Sequence, residues 1–129
     1  MAVNALIYPP DDQIERWEEV FINPYHRVGS QERAEAKLRG KELYHANCST
    51  CHGPGGKGDG TISDKFPMPP DLTDEIYADR SDGYFFHKIT VGGPIMPSRA
   101  EATSPLERWE IILHVRSFHS DNQINGMHP

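Results

Sequence analysis

Apolar residues recur at helical spacing in several places along the chain, and the alternating runs that mark half-buried strands are missing. Ile14, Trp17, Val20 and Phe21 fall on one face of a short segment that Asp11 or Asp12 can cap. Asn23-Pro24-Tyr25 then reads as a turn. Ser30 is placed to cap a longer helix from Gln31 to Asn47, with Leu38, Leu43 and Tyr44 facing inward and Gly40 leaving room for a second helix. Tyr84, Phe85, Phe86 and Ile89 supply a further helix, opened by Ser81 or Asp82 and stopped at Gly92. Ser104-Pro105-Leu106-Glu107 is a capping box with proline at the first helical position. The helix it opens runs to Phe118 and carries Leu106, Trp109, Ile112, Leu113 and Val115 largely to one side. Between these segments lie "GPGGKGDG" from Gly53 and the Pro-rich "KFPMPPDLT" from Lys65, with a short helix expected from Asp74. The pattern predicts an all-α fold.

At 129 residues the chain is one domain with one modest core. Residues 1–29 are expected to form an extension whose amphipathic helix packs on the domain, residues 30–119 the domain itself, and residues 120–129 a polar tail. An apolar content of 36% is low for such a core, so a large apolar cofactor would help to complete it. The net charge of −6 argues against nucleic acid as a partner, and no apolar run approaches a membrane span. The opening "MAVNALIYPPDD" lacks the basic start and apolar stretch of a signal peptide.

Both cysteines of the chain lie in "ANCSTCHGPGG", residues 46–56. A disulfide between Cys48 and Cys51 would close a very short loop, where cross-linking gains least, and would leave His52 without a role. A structural zinc site needs a fourth ligand from a second Cys/His cluster, and the other histidines are scattered. The favoured alternative is covalent haem: in C-x-x-C-H two thiols add across the haem vinyl groups and the adjoining imidazole ligates the iron. Zinc and a redox dithiol are the other readings. Covalent haem attachment of this kind takes place outside the cytoplasm, so a removed or replaced leader is expected, together with a location in the periplasm or on the outer face of the cytoplasmic membrane. The glycine-rich run after His52 lacks the Lys-Ser/Thr of a P-loop and follows no strand.

His52 supplies one axial ligand in the haem reading. For the other, Met96 in "VGGPIMPSRA" is favoured, because Gly92, Gly93, Pro94 and Pro97 suit a tight loop that fixes a thioether. Met68 in "PMPP" is sixteen residues from His52 (68 − 52) and is expected to line the pocket. Two strong protein ligands leave no open coordination position. That favours electron transfer over oxygen activation or gas sensing, so the chain is not expected to be an enzyme.

With "GKELYHANCSTCHG", "IMP" and "LERWEIILHVRSF" in view, residues 30–118 resemble a class I monohaem cytochrome c. In that family an N-terminal helix, here with Gly40 and Tyr44, crosses a C-terminal helix, here from Trp109 to Arg116; His114 stands at a position usually aromatic. "FPMPPDLT" and "DGYFFHKITVGGPIMPS" are similar to the monohaem cytochromes that accompany bacterial alternative complex III. The resemblance implies one covalent haem c on Cys48 and Cys51, with His52 and Met96 as axial ligands. It also implies a monomeric one-electron carrier with a quinol-oxidising complex as donor and a haem–copper oxidase as acceptor. Many such cytochromes are tethered by an N-terminal lipid. A fixed haem c subunit of a larger dehydrogenase or respiratory complex is the alternative, and an enzyme or sensor with an open iron position belongs to a different class.

Overall fold

The computed structural model describes residues 8–62 and 69–119. Met68 and the tail from Ser120 lie outside the described residues. Among the described residues six α-helices follow in order: α1 (Ile14–Val20), α2 (Ser30–Asn47), α3 (Ser49–His52), α4 (Glu75–Ala78), α5 (Asp82–Val91) and α6 (Pro105–Arg116), with a 3₁₀ turn at Pro24–Arg27. No strand occurs among the described residues, so the fold is all-α as expected.

The main contact is α2 against α6. Its inward residues on α2 are Ala36, Gly40 and Tyr44, which repeat every fourth position along one face. Gly40 is required by close approach: a Cβ there would run into the Glu110 carbonyl on α6. This corrects the sequence expectation for Leu38, which is 66% exposed. The inward face of α2 is made of small residues and one tyrosine, so aliphatic periodicity does not reveal it. Ser30 is the first helical residue and no cap; Gly29 stands at the N-cap without a side-chain bond. At α6 the capping box is complete: Ser104 accepts from the Glu107 N–H, and Glu107 accepts from the Ser104 N–H at 2.8 Å. Ser81 and Asp74 likewise cap α5 and α4.

The N-terminal extension packs on α5. Trp17 is fully buried, stacked on Tyr8 at 5.1 Å and tilted against Phe21 and Phe86. Phe86 in turn stacks on Trp109 at 4.2 Å. Burying an aromatic side chain of this size stabilises by roughly 1.5–3 kcal/mol. The helix starts later than the aspartates suggest: Gln13 is the N-cap and makes no side-chain bond, and Val20 of the expected stripe is exposed.

A buried polar cluster fixes the extension to the helical body. Asp82 accepts from Arg116 Nε at 2.8 Å, Asn23 Nδ2 at 3.1 Å and His26 Nε2 at 2.9 Å. Tyr25 donates to Glu110 at 2.6 Å, and Arg39 donates to the same carboxylate. Burial alone would raise the Asp82 carboxyl; the His26 hydrogen bond and the Arg116 guanidinium reverse this and hold it below the ordinary carboxylate range. Its stabilising contribution is therefore in place above the unfolded-state value and is lost as pH falls through the lower folded value. Asp82→Ala is expected to cost about 3–5 kcal/mol, because it strands the buried Arg116 charge. Denaturant unfolding measures this, with the optical spectrum near neutral pH unchanged; a variant as stable as the parent would refute it.

Candidate functional site

The attachment segment sits where α2 ends. Cys48 closes α2 with its N–H on the Tyr44 carbonyl at 2.7 Å and at once opens α3. Its own carbonyl accepts from Cys51 N–H at 3.2 Å and His52 N–H at 2.9 Å. One helical turn separates the two cysteines, and residues three apart lie on the same face. The sequence C-x-x-C thus delivers both thiols to one side. Tyr44 reaches over the turn to donate to the Gly53 carbonyl at 2.6 Å.

The glycine-rich segment wraps back on this turn. Gly58 N–H binds the His52 carbonyl at 2.8 Å, Gly60 N–H binds that of Cys51, and Leu72 N–H binds that of Gly56 at 2.6 Å. These bonds carry Pro69 and Pro70 to the histidine. His52 Nδ1 faces the Pro70 carbonyl at 3.4 Å. A carbonyl can only accept, so Nδ1 carries the proton and Nε2 keeps its lone pair. Burial holds the His52 pKa below the ordinary value, partly opposed by the Pro70 bond, so the ring is neutral near neutral pH. A neutral imidazole with its far nitrogen oriented by a carbonyl is the form that ligates a metal.

Cys48, Cys51, His52 and Met96 line one cavity of about 640 Å³. Ligand pockets of roughly 300–1,000 Å³ are the usual range. Its wall is mostly apolar, with Phe85 and Ile89 from α5, and Ile111 and Val115 from α6. Met96 arrives on the loop after α5. Gly92, at φ +78°, turns the chain, Gly93 N–H binds the Met96 carbonyl at 2.8 Å, and Ser98 Oγ donates to the Thr90 carbonyl at 2.6 Å. Arg108 then ties the stretch after Met96 by donating to the Ala100 and Thr103 carbonyls. His87 and His114 do not line the cavity.

The donor set bears on the three chemistries. Burial pushes the Cys48 thiol up to about 12, with the Arg99 charge working the other way. A redox-active cysteine needs an accessible thiolate at lower pKa. Among the described residues no three His, Cys, Asp or Glu side chains converge as a metal site requires. Two thiols and an oriented imidazole beside a large apolar cavity fit a haem joined through its vinyl carbons.

One family model, described as cytochrome c oxidase, cbb3-type, subunit III, matches residues 35–115. The chain belongs to that cytochrome c family. Its cofactor is covalently bound haem c, for which the cavity and the C-x-x-C-H turn are suited. The Cbb3-type cytochrome c oxidase subunit FixP of Azorhizobium caulinodans is 38% identical over 84 residues, 64% of this chain and 27% of FixP. A solved chain of the Kuenenia stuttgartiensis reducing HAO-like protein complex is 32% identical with a TM-score of 0.60, covering 67% of this chain and 44% of that one. The chain thus spans about a quarter of FixP and under half of the solved chain. Among the described residues no helix is long and apolar enough to cross a membrane.

Within this cytochrome, His114 keeps the character of the aromatic it stands in for. Its ring lies 5.1 Å from Tyr44 and 5.1 Å from Phe118, and burial, with the neighbouring His45 and lysines, lowers its pKa to about 4. It therefore packs as a neutral ring. Sequence reasoning missed the Pro70 carbonyl, for which local sequence holds no signal, and Arg99, whose signal was a cation three residues after Met96 in the same loop.

Proposed function

We propose that Cys48 and Cys51 hold the haem by thioether bonds, that His52 Nε2 and Met96 Sδ are its axial ligands, and that the protein is a one-electron carrier of a respiratory chain. The haem iron supplies the ferric–ferrous couple. The observation that carries this reading is the convergence on one cavity wall of four residues from two separate elements: the α2–α3 turn and the loop after α5. The chain's part is to exclude water from the iron, to keep His52 in the ligating tautomer, and to fix Met96 on a loop whose backbone bonds do not involve its side chain.

Electrons come from a quinol-oxidising complex and pass to a haem–copper oxidase, outside the cytoplasm and near the membrane face. Docking would centre on the apolar mouth beside Met96, where Pro94, Ile95 and Pro97 are exposed, Ile95 by 62%. The net charge of −6 disfavours a lysine-steered encounter. Stopped-flow oxidation of the reduced protein by oxidase-containing membranes should therefore vary little, within about threefold, between low and moderate salt. A steep fall with salt, reproduced by lysine substitutions, would overturn that docking mode. The likeness to FixP, an oxidase subunit, supports a second reading, a fixed haem subunit. Stoichiometric co-purification with an oxidase that survives high salt would favour the subunit over the carrier.

A further inference from the structure

The cavity wall holds no aspartate or glutamate among the described residues, yet it holds two cations, Lys88 and Arg99. Arg99 is half-buried, and its main chain is fixed: its N–H binds the Ile89 carbonyl at 2.8 Å, and its carbonyl accepts from the Thr103 N–H at 3.0 Å and from the Thr103 hydroxyl at 2.6 Å. Its guanidinium has no hydrogen bond, ion pair or ring partner among the described residues. The other arginines that reach the protein body are all engaged: Arg33 with backbone carbonyls, Arg39 with Glu110, Arg108 with threonines and carbonyls, and Arg116 with Asp82. Lys88 lies on the same cavity wall, its ammonium 5.8 Å from the Tyr84 ring. Arg99 is among the residues that line the cavity.

A cation against an apolar wall, with no carboxylate on that wall among the described residues, calls for an anion from the occupant. Haem c brings two carboxylates, its propionates, and a guanidinium offers the planar fork that carboxylates take in paired hydrogen bonds. We infer that Arg99 is the anchor for a haem propionate, with Lys88 beside it as the second cation of the same subsite. This rests on the haem c reading of the cavity. The other titratable groups on the wall are Tyr44, Cys48 and Cys51 from the α2–α3 end, His52 from α3, and Tyr77 and Tyr84 from α4 and α5. Burial raises Tyr44, Cys48 and Tyr77 above their ordinary values, which keeps these three neutral near neutral pH.

The test uses the haem-loaded protein and follows the midpoint potential against pH by optical redox titration. With Arg99 present the propionate stays ionised and the potential is flat through the mildly acidic range. Arg99→Gln should lower the potential and make it fall as pH rises through that range. The uncompensated propionate then ionises there, and its negative charge favours the ferric state. Arg99→Lys should restore most of the flat profile, and Lys88→Gln should give a smaller shift in the same direction. Arg16→Gln, which removes a charge from the exposed face of α1, should leave the parent profile in place. An Arg99→Gln protein with parent potential and slope, or one that only unfolds more easily, would overturn the assignment. A parent protein without covalent haem on mass spectrometry would overturn the haem reading as well, so the two failures are told apart.

Discussion

With Cys48 and Cys51 both replaced by alanine, haem added to the protein should be fully extractable by acid-acetone, and the cooperative thermal transition should be lost. The attachment turn is built by local bonds that survive the change, so the helix ends should still form transiently. What is lost is the occupant of the cavity around which α5 and α6 pack. An apolar cavity of about 640 Å³ without its occupant leaves its lining without the contacts the haem would supply, and water entry or collapse of the cavity must follow. Either outcome removes the fixed packing of Phe85, Ile89, Ile111 and Val115 against one another. Each single alanine variant keeps one thioether and should retain haem with a lowered melting temperature. Far-UV circular dichroism on heating, with a haem stain after denaturing electrophoresis, reads both effects. A parent protein whose haem is itself extractable, or which carries zinc, would refute the attachment.

Much of this architecture was legible before the structure because its signals are local. The Ser104–Glu107 box, the Ser81 cap and the turn at Gly92 each depend on residues within a few positions of one another, and each stands where expected. The C-x-x-C-H run is local too, and its geometry follows from one helical turn. The misplaced features have a different origin. Leu38 faces solvent because the side of α2 that meets α6 runs through Ala36, Gly40 and Tyr44, with the close approach at Gly40. Leu106, half exposed at the start of α6, lies beyond the reach of that contact. Asn23 was readable as a turn residue and does accept from the Tyr25 N–H at 3.0 Å. Its second task, donating to Asp82 and to the Trp109 carbonyl, joins positions far apart in sequence, and no local pattern encodes it. The same holds for the Pro70 carbonyl at His52, which depends on how the glycine-rich segment wraps.

Met96→Ala should abolish the sulfur-to-iron charge-transfer band of the ferric protein, open the iron to added imidazole or cyanide, and leave the fold intact. The loop explains the last part. Its position is set by the Gly92 turn, the Gly93 bond to the Met96 carbonyl, the Ser98 bond to Thr90 and the Arg108 bonds beyond, none of which uses the thioether. Removing the side chain therefore vacates a ligand position without unfastening the backbone that presented it. Met96→His should instead keep the iron low-spin and lower the midpoint potential, since a thioether favours the ferrous state more than a second imidazole does. The fall should be a readable part of the roughly 0.8 V over which axial ligands set haem potentials. Met68, outside the described residues, provides the control: Met68→Ala should keep the band and the potential near the parent's. Optical spectra of the oxidised variants and a redox titration decide the matter. A band that survives in Met96→Ala and disappears in Met68→Ala would transfer the ligand role to Met68 and leave the Gly-Pro loop as a wall of the pocket only.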